Sequence, residues 1–287
     1  MVSLRIIAAL LATATAVTVA GCSAPEPARA TEPPRPTAAA TYWTVTRLLS
    51  ARAWQDAGAA GQGAAGVSSS AHTALAAPRV GALFLRTSGG NHFCTASVVS
   101  SPGRDLLITA AHCINGGKGS GYRGDIVFIP GYRDGTDPYG IWTPARLLVA
   151  PGWARSADPD LDVGFVVLKP RNGENIEQVL GADIVTFNTG YRNLVRVTGY
   201  PKSASSPITC RNWTTRQSAT QLKFSCDGFT GGTSGSPWVT DFNPATRTGH
   251  VIGVLGGYEQ GGDTASVSYS PYFGTAIKNL YDQAIGG

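Results

Sequence analysis

Apolar residues in this chain come in short runs rather than along extended helical faces. From Val80 onward, "RVGALFLRT", "CTASVVS", "DLLITAAHC", "DIVFIPGY", "IWTPARLLVA", "DVGFVVLKP", "LVRVTGYP", "QLKFSC", "SPWVT" and "HVIGVLGGY" are continuous or alternating apolar stretches. Gly, Pro, Asn and Asp separate them, so each run predicts a strand and the series predicts an all-β barrel or sandwich. A clear helical period occurs in "SPYFGTAIKNLYDQA", where Ile277, Leu280 and Tyr281 share one face. Ser270 is its expected N-cap, with Pro271 in the first turn. No internal repeat is evident. Two barrels of about a hundred residues each, over 80–185 and 186–287, form the economical partition.

The region before Val80 has a different texture. Arg5 precedes "IIAALLATATAVTVA", an apolar run too short and too rich in Ala and Thr for a membrane span, so residues 1–21 read as an export signal. The run ends in "VAGC", Val19 to Cys22, which resembles a bacterial lipobox, where cleavage leaves a cysteine that carries lipid. The alternative is an ordinary secretory signal with an incidental cysteine. Residues 22–79 follow as a tether. "SAPEPARATEPPRPTAAA" is an extended Pro/Ala stretch, "YWTVTRLLSARAW" (42–54) has helix-like apolar spacing, and low complexity then returns. This part is either a spacer or a pro-segment that shields the rest or assists its folding.

Cysteine usage agrees with export. The chain has five cysteines, an odd number. With Cys22 as the lipid site, four remain and fall as two natural pairs, Cys94 with Cys113 and Cys210 with Cys226. Charge adds little. The net charge is +5, but six of the 23 basic and three of the 18 acidic residues lie in 1–79, leaving only +2 for 80–287. No basic run or basic-aromatic interleaving is present, which argues against a nucleic-acid partner.

A serine hydroxyl is a poor nucleophile at neutral pH unless a base takes its proton and an acceptor orients that base. "GGTSGSPW" (231–238) offers Ser234, with Thr233 and Ser236 as alternatives. Of the four histidines, His72 lies in the spacer, His92 and His250 sit beside strands, and His112 ends "LLITAAHC". His92, Cys94, His112 and Cys113 could also be read as a metal set, although the spacing is not that of common zinc sites and export favours disulfides.

"LITAAHC" resembles the histidine motif of trypsin-like serine proteases, and "GTSGSP" resembles their nucleophile motif, in the family's order. "VTGYP" and "SGSP" bring the glutamyl-endopeptidase-like bacterial branch nearest. The resemblance covers Val80 to the C-terminal helix. It implies an all-β, chymotrypsin-like fold of two antiparallel six-stranded β-barrels with a C-terminal helix, and a site in the cleft between the barrels. His112 is then the base and Ser234 the nucleophile, with the backbone N–H groups of Gly232 and Ser234 as the oxyanion hole. In "DPDLDVGFVVL", Asp162 fits the orienting carboxylate, ahead of Asp158 and Asp160. Aligning "VIGVLGG" places Leu255, Gly256 and Gly257 at the substrate pocket, without the histidine that glutamate-specific relatives use. Asp227 is a further candidate to approach that pocket. Thr233 stands where the animal digestive branch has an Asp that pairs with a newly cut N-terminus, so that switch is absent.

The function expected is an exported serine endopeptidase, lipid-anchored at Cys22 or secreted. It would act as a monomer on polypeptide substrates and need no metal or organic cofactor. A surface binding protein on a protease scaffold, or an esterase using the same triad, are the alternatives.

Overall fold

The computed structural model describes residues 38–54, 69–75, 77–246 and 248–286. The expected export signal, Cys22 and most of the Pro/Ala tether lie outside the described residues. The described residues form fifteen strands, six α-helices and two 3₁₀ turns. The first sheet contains β1 (Arg52–Ala53), β3 (Val80–Thr87), β4 (Gly90–Val99), β5 (Leu106–Thr109), β6 (Gly124–Pro130), β7 (Pro144–Val149) and β8 (Gly164–Leu168). The second contains β2 (His72–Thr73), β9 (Ile184–Val185), β10 (Leu194–Gly199), β11 (Ile208–Arg216), β12 (Gln221–Ser225), β13 (Pro237–Asn243), β14 (Thr248–Val254) and β15 (Val267–Pro271). The helices are α1 (Ala38–Tyr42), α2 (Val45–Ser50), α3 (Ala111–Ile114), α4 (Pro151–Ser156), α5 (Ile176–Leu180) and α6 (Thr275–Ile285).

In the first sheet the strand order is β6-β3-β4-β5-β8-β7, and it curls until Phe128 and Trp142 exchange N–H···O bonds of 2.9 Å. The second runs β15-β12-β11-β10-β13-β14-β9, and Gly256 N–H meets Tyr269 C=O at 3.0 Å between its first strand and the end of β14. The two six-stranded barrels expected from the sequence are thus present, each with additions. β1 joins the first, in parallel with β4, while β2 and β9 join the second.

Barrel one packs Leu83, Leu85, Cys94, Val98, Leu107, Phe128 and Trp142 inward. β3 is buried on both faces from Val80 to Leu85, which explains why "VGALFL" is an unbroken apolar run rather than an alternating one. Its outer residues Ala82 and Phe84 belong to a separate cluster with Trp43 and Leu48 of the N-terminal segment. That segment forms two short helices and a strand. Residues 69–73 also pair by backbone, Ser70 with Asp227 and β2 with β11.

The C-terminal helix begins later than the sequence suggests. Ser270 and Pro271 are the end of β15, paired with Leu222 and Gln221, and the Ser270 hydroxyl accepts Val254 N–H at 3.0 Å. Helix α6 starts at Thr275 after Gly274, without a side-chain cap. Its Ile277, Leu280 and Ala284 are buried in one cluster with Leu106, Ile108 and Phe165 of barrel one and Val239 and Val251 of barrel two. Burying each large apolar side chain contributes on the order of 2 kcal/mol. Asp183 also bridges the two sheets. Its backbone bonds to Val98 and Ser100, and its buried carboxylate accepts Gly249 N–H at 2.8 Å.

Candidate active site

His112 lies in α3, the single turn that follows β5. Ala110 is the extended residue before that turn, and both Ala110 and Ala111 are buried. The Ser234 turn of the other barrel nests against this backbone. A Cβ added to Gly235 would lie 3.0 Å from Ala110 N and 2.2 Å from Thr95 O. Gly235 also has φ +84°, a conformation that only glycine adopts without strain.

Asp162 closes the 3₁₀ turn Pro159–Leu161, immediately before β8. It is fully buried, and three N–H groups converge on it. His112 N–H donates to Oδ1 at 2.9 Å, Gly257 N–H donates to Oδ2 at 2.9 Å, and His112 Nδ1 stands 2.7 Å from Oδ2. A buried carboxylate is tolerated only with partners of this kind. The competing acids are engaged elsewhere. Asp158 accepts Asp160 N–H, and Asp160 accepts the Gln221 amide at 2.8 Å. Asp162 therefore fixes the imidazole from the Nδ1 side. Nε2 is buried and has no hydrogen-bond partner among the described residues.

The Ser234 turn is held to barrel one by Thr95 of β4. Thr95 N–H donates to Ser234 C=O at 2.8 Å, and its hydroxyl donates to Gly232 C=O while accepting Tyr200 N–H, both at 3.0 Å. Cys113 Sγ lies 3.8 Å from the same Ser234 carbonyl. Ser236, the alternative nucleophile, turns inward and donates to Thr233 C=O at 2.6 Å. Thr233 likewise donates to Thr230 C=O. Gly232 has φ +90°, and its N–H donates to Trp54 C=O at 3.1 Å. Thr95 and Gly235 were not legible as site residues, because their importance comes from contacts between barrels.

Both expected disulfides form, Cys94 with Cys113 and Cys210 with Cys226. Cys94, His112 and Cys113 come together as a potential metal group, but the two sulfurs are bonded to each other and His112 Nδ1 is occupied by Asp162. His250 bonds Thr186 at 2.8 Å, His92 packs edge-on to Trp54, and His72 is exposed in β2. Of the three pocket candidates, Leu255 is buried in the core of barrel two with Trp238 and Phe224. Gly256 lies against Asp162, where an added Cβ would be 3.0 Å from Oδ2, and Gly257 supplies the N–H described above. Asp227 is exposed, with its backbone paired to residues 69–71.

Among solved structures, the protease Anisep from Arthrobacter nicotinovorans is similar over 76% of this chain and 100% of its own, at 28% identity and a TM-score of 0.68. The thermostable serine protease AL20, from an extremophilic microorganism, is similar over 73% and 97%, at 27% identity and 0.65. The chain has the trypsin-like fold of these bacterial serine proteases. A Glu endopeptidase is similar over 77% and 98% with a TM-score of 0.61, but at 18% identity this is a likeness of fold alone. The glutamyl branch has no stronger support than that. By sequence, no protein-family model and no curated protein matches.

Proposed function

We propose that this trypsin-like chain is an exported serine endopeptidase. The observation that carries the reading is the buried His112 Nδ1–Asp162 Oδ2 pair at 2.7 Å, on the face of barrel one against which the Ser234 turn packs. Ser234 Oγ attacks a peptide carbonyl as His112 Nε2 takes its proton, giving a tetrahedral oxyanion. His112 then delivers the proton to the leaving amine, and water repeats the sequence on the acyl-enzyme. Asp162 holds the tautomer with the proton on Nδ1 and stabilises the imidazolium. The N–H groups of Gly232 and Ser234 are the donors for the oxyanion, usually a contribution of several kcal/mol.

Polypeptides are the substrate class, as the protease neighbours suggest, and the chemistry requires no cofactor. Gly256 and Gly257 are the backbone wall of the pocket, with Leu255 behind it as core. Export is supported by the two disulfides, which persist in oxidising compartments. A lipid anchor at Cys22 belongs to the same proposal. The test, after removal of any pro-segment, is labelling with a fluorophosphonate probe and digestion of a proteome-derived peptide library. Label on Ser234, and cleavage that Ser234→Ala abolishes, are expected. Peptide binding without cleavage or labelling would refute the reading.

A further inference from the structure

The Gly232 N–H assigned to the oxyanion is already engaged within the protein, by the carbonyl of Trp54 at 3.1 Å. Trp54 is gripped from the other barrel as well. Its N–H donates to Phe93 C=O at 2.9 Å, and Arg52–Ala53 pair with His92–Phe93. Its indole lies edge-on to His92 at 5.1 Å and beneath the Arg123 guanidinium at 4.4 Å. The strand thus spans from the edge of β4 to the nucleophile turn.

Upstream, the same segment is anchored far from the site. Trp43 is buried beside Phe84, with ring centroids 5.3 Å apart, and its Nε1–H donates to Asp125 C=O at 2.6 Å. Tyr42 donates to Asn91 Oδ1 at 2.8 Å. Leu48 completes the apolar cluster over the outer face of β3 and β6.

We propose that residues 38–54 form a built-in plug, in which α1 and α2 are the latch and Trp54 the stopper that keeps the protease latent. The proposal rests on the reading of Gly232 as an oxyanion donor. An N–H committed to an internal carbonyl cannot serve a developing oxyanion, and loss of one such donor typically lowers turnover by roughly 10²–10³-fold. Anything that lifts the latch, by cleavage or by competition for its apolar seat on barrel one, would release the donor.

The test uses the full chain in four forms: wild type, Trp54→Pro, Trp43→Ala and Ser234→Ala. Proline at 54 removes the N–H that binds Phe93 while suiting the extended Ala53 before it. Alanine at 43 weakens the latch without touching the site. Fluorophosphonate labelling at least about tenfold faster in both latch variants than in wild type, equivalent to about 1.4 kcal/mol, is the expected result. Ser234→Ala should stay unlabelled. In parallel, NMR exchange of the Gly232 amide should be slow in wild type and faster in Trp54→Pro, a readout independent of turnover. Wild type labelling as fast as the variants would overturn the plug and leave the protease reading intact. Cleavage between Trp54 and Gln55 in wild type but not in Ser234→Ala would make the contact a substrate's and also overturn it. No labelling in any form, with near-ultraviolet circular dichroism and disulfides retained, would remove both.

Discussion

Replacing Asp162 by Asn changes one oxygen into an NH₂ group and leaves the shape unaltered, yet the surroundings cannot accommodate it. Oδ1 receives one N–H and Oδ2 faces two ring or backbone nitrogens. If the new carbonyl sits at Oδ1, the NH₂ faces Gly257 N–H and His112 Nδ1. The imidazole can answer by moving its proton to Nε2, but the Gly257 donor is then orphaned. If the carbonyl sits at Oδ2, the NH₂ faces the His112 backbone N–H and orphans that instead. Either way one buried donor is unsatisfied, at about 1–3 kcal/mol. For a domain of this size each kcal/mol lowers Tm by about 2–4 °C. Moving the proton to Nε2 also removes the acceptor that Ser234 needs, which lowers the rate by roughly 10⁴-fold. The assay is the fluorophosphonate labelling rate, with Tm by calorimetry, in the Trp54→Pro background so that latency does not hide the loss. A labelling rate within tenfold of the parent, at unchanged Tm, would refute the role assigned to the carboxylate.

Three further changes follow from the same geometry. Thr95→Val keeps the volume but strips the hydroxyl from Gly232 C=O and Tyr200 N–H, so two orphaned groups should cost about 2–6 kcal/mol in denaturant unfolding. The labelling rate should fall too, whereas Thr95→Ser should restore it. Gly235→Ala puts a methyl 2.2 Å from Thr95 O and 2.3 Å from Thr109 Oγ1; with the left-handed strain added, a loss above about 3 kcal/mol is expected from chemical denaturation. Burial pushes the Asp183 carboxyl up from 3.8 to about 6, so the folded state holds that proton more tightly than the unfolded state. Stability from this group is therefore fully present below about pH 4 and is lost as pH rises to about 6, by roughly 3 kcal/mol in all. Asp183→Asn retains an acceptor for Gly249 N–H and should flatten that part of the profile measured by urea midpoints.

The barrels were legible because each strand carries its own apolar run, and β3 even betrays a covered outer face by failing to alternate. Helix α6 was legible from Ile277, Leu280 and Tyr281, but its start was not. Ser270–Pro271 has the chemistry of a helix entry, and strand pairing with Leu222 and Gln221 overrides it. The low-complexity stretch ahead of Val80 read as a spacer because Ala, Gly and Ser bury little surface. Pairing of Ser70 with Asp227 and of His72–Thr73 with β11 uses the backbone, which composition does not reveal. His112, Asp162 and Ser234 sit in distinctive strings; the structure places Asp162 on His112 and the Ser234 turn beside Ala110 and Cys113. Thr95 had no such string. It is one residue past Cys94, and its role exists only once the second barrel is docked.

Helix α6 sets a timetable. It follows Ser234 by some forty residues, so it emerges from the ribosome later than every group of the proposed triad. Tyr281 reaches Ser100 C=O at 2.9 Å and stacks near both Phe165 and Phe187, while Arg146 of barrel one holds Ala284 C=O at 2.7 Å. Until those contacts exist, the apolar seam between the barrels lacks its cover. Assembly of the proposed triad thus waits on a segment made after all three of its members, and a chain that has not yet docked α6 carries them in unassembled form.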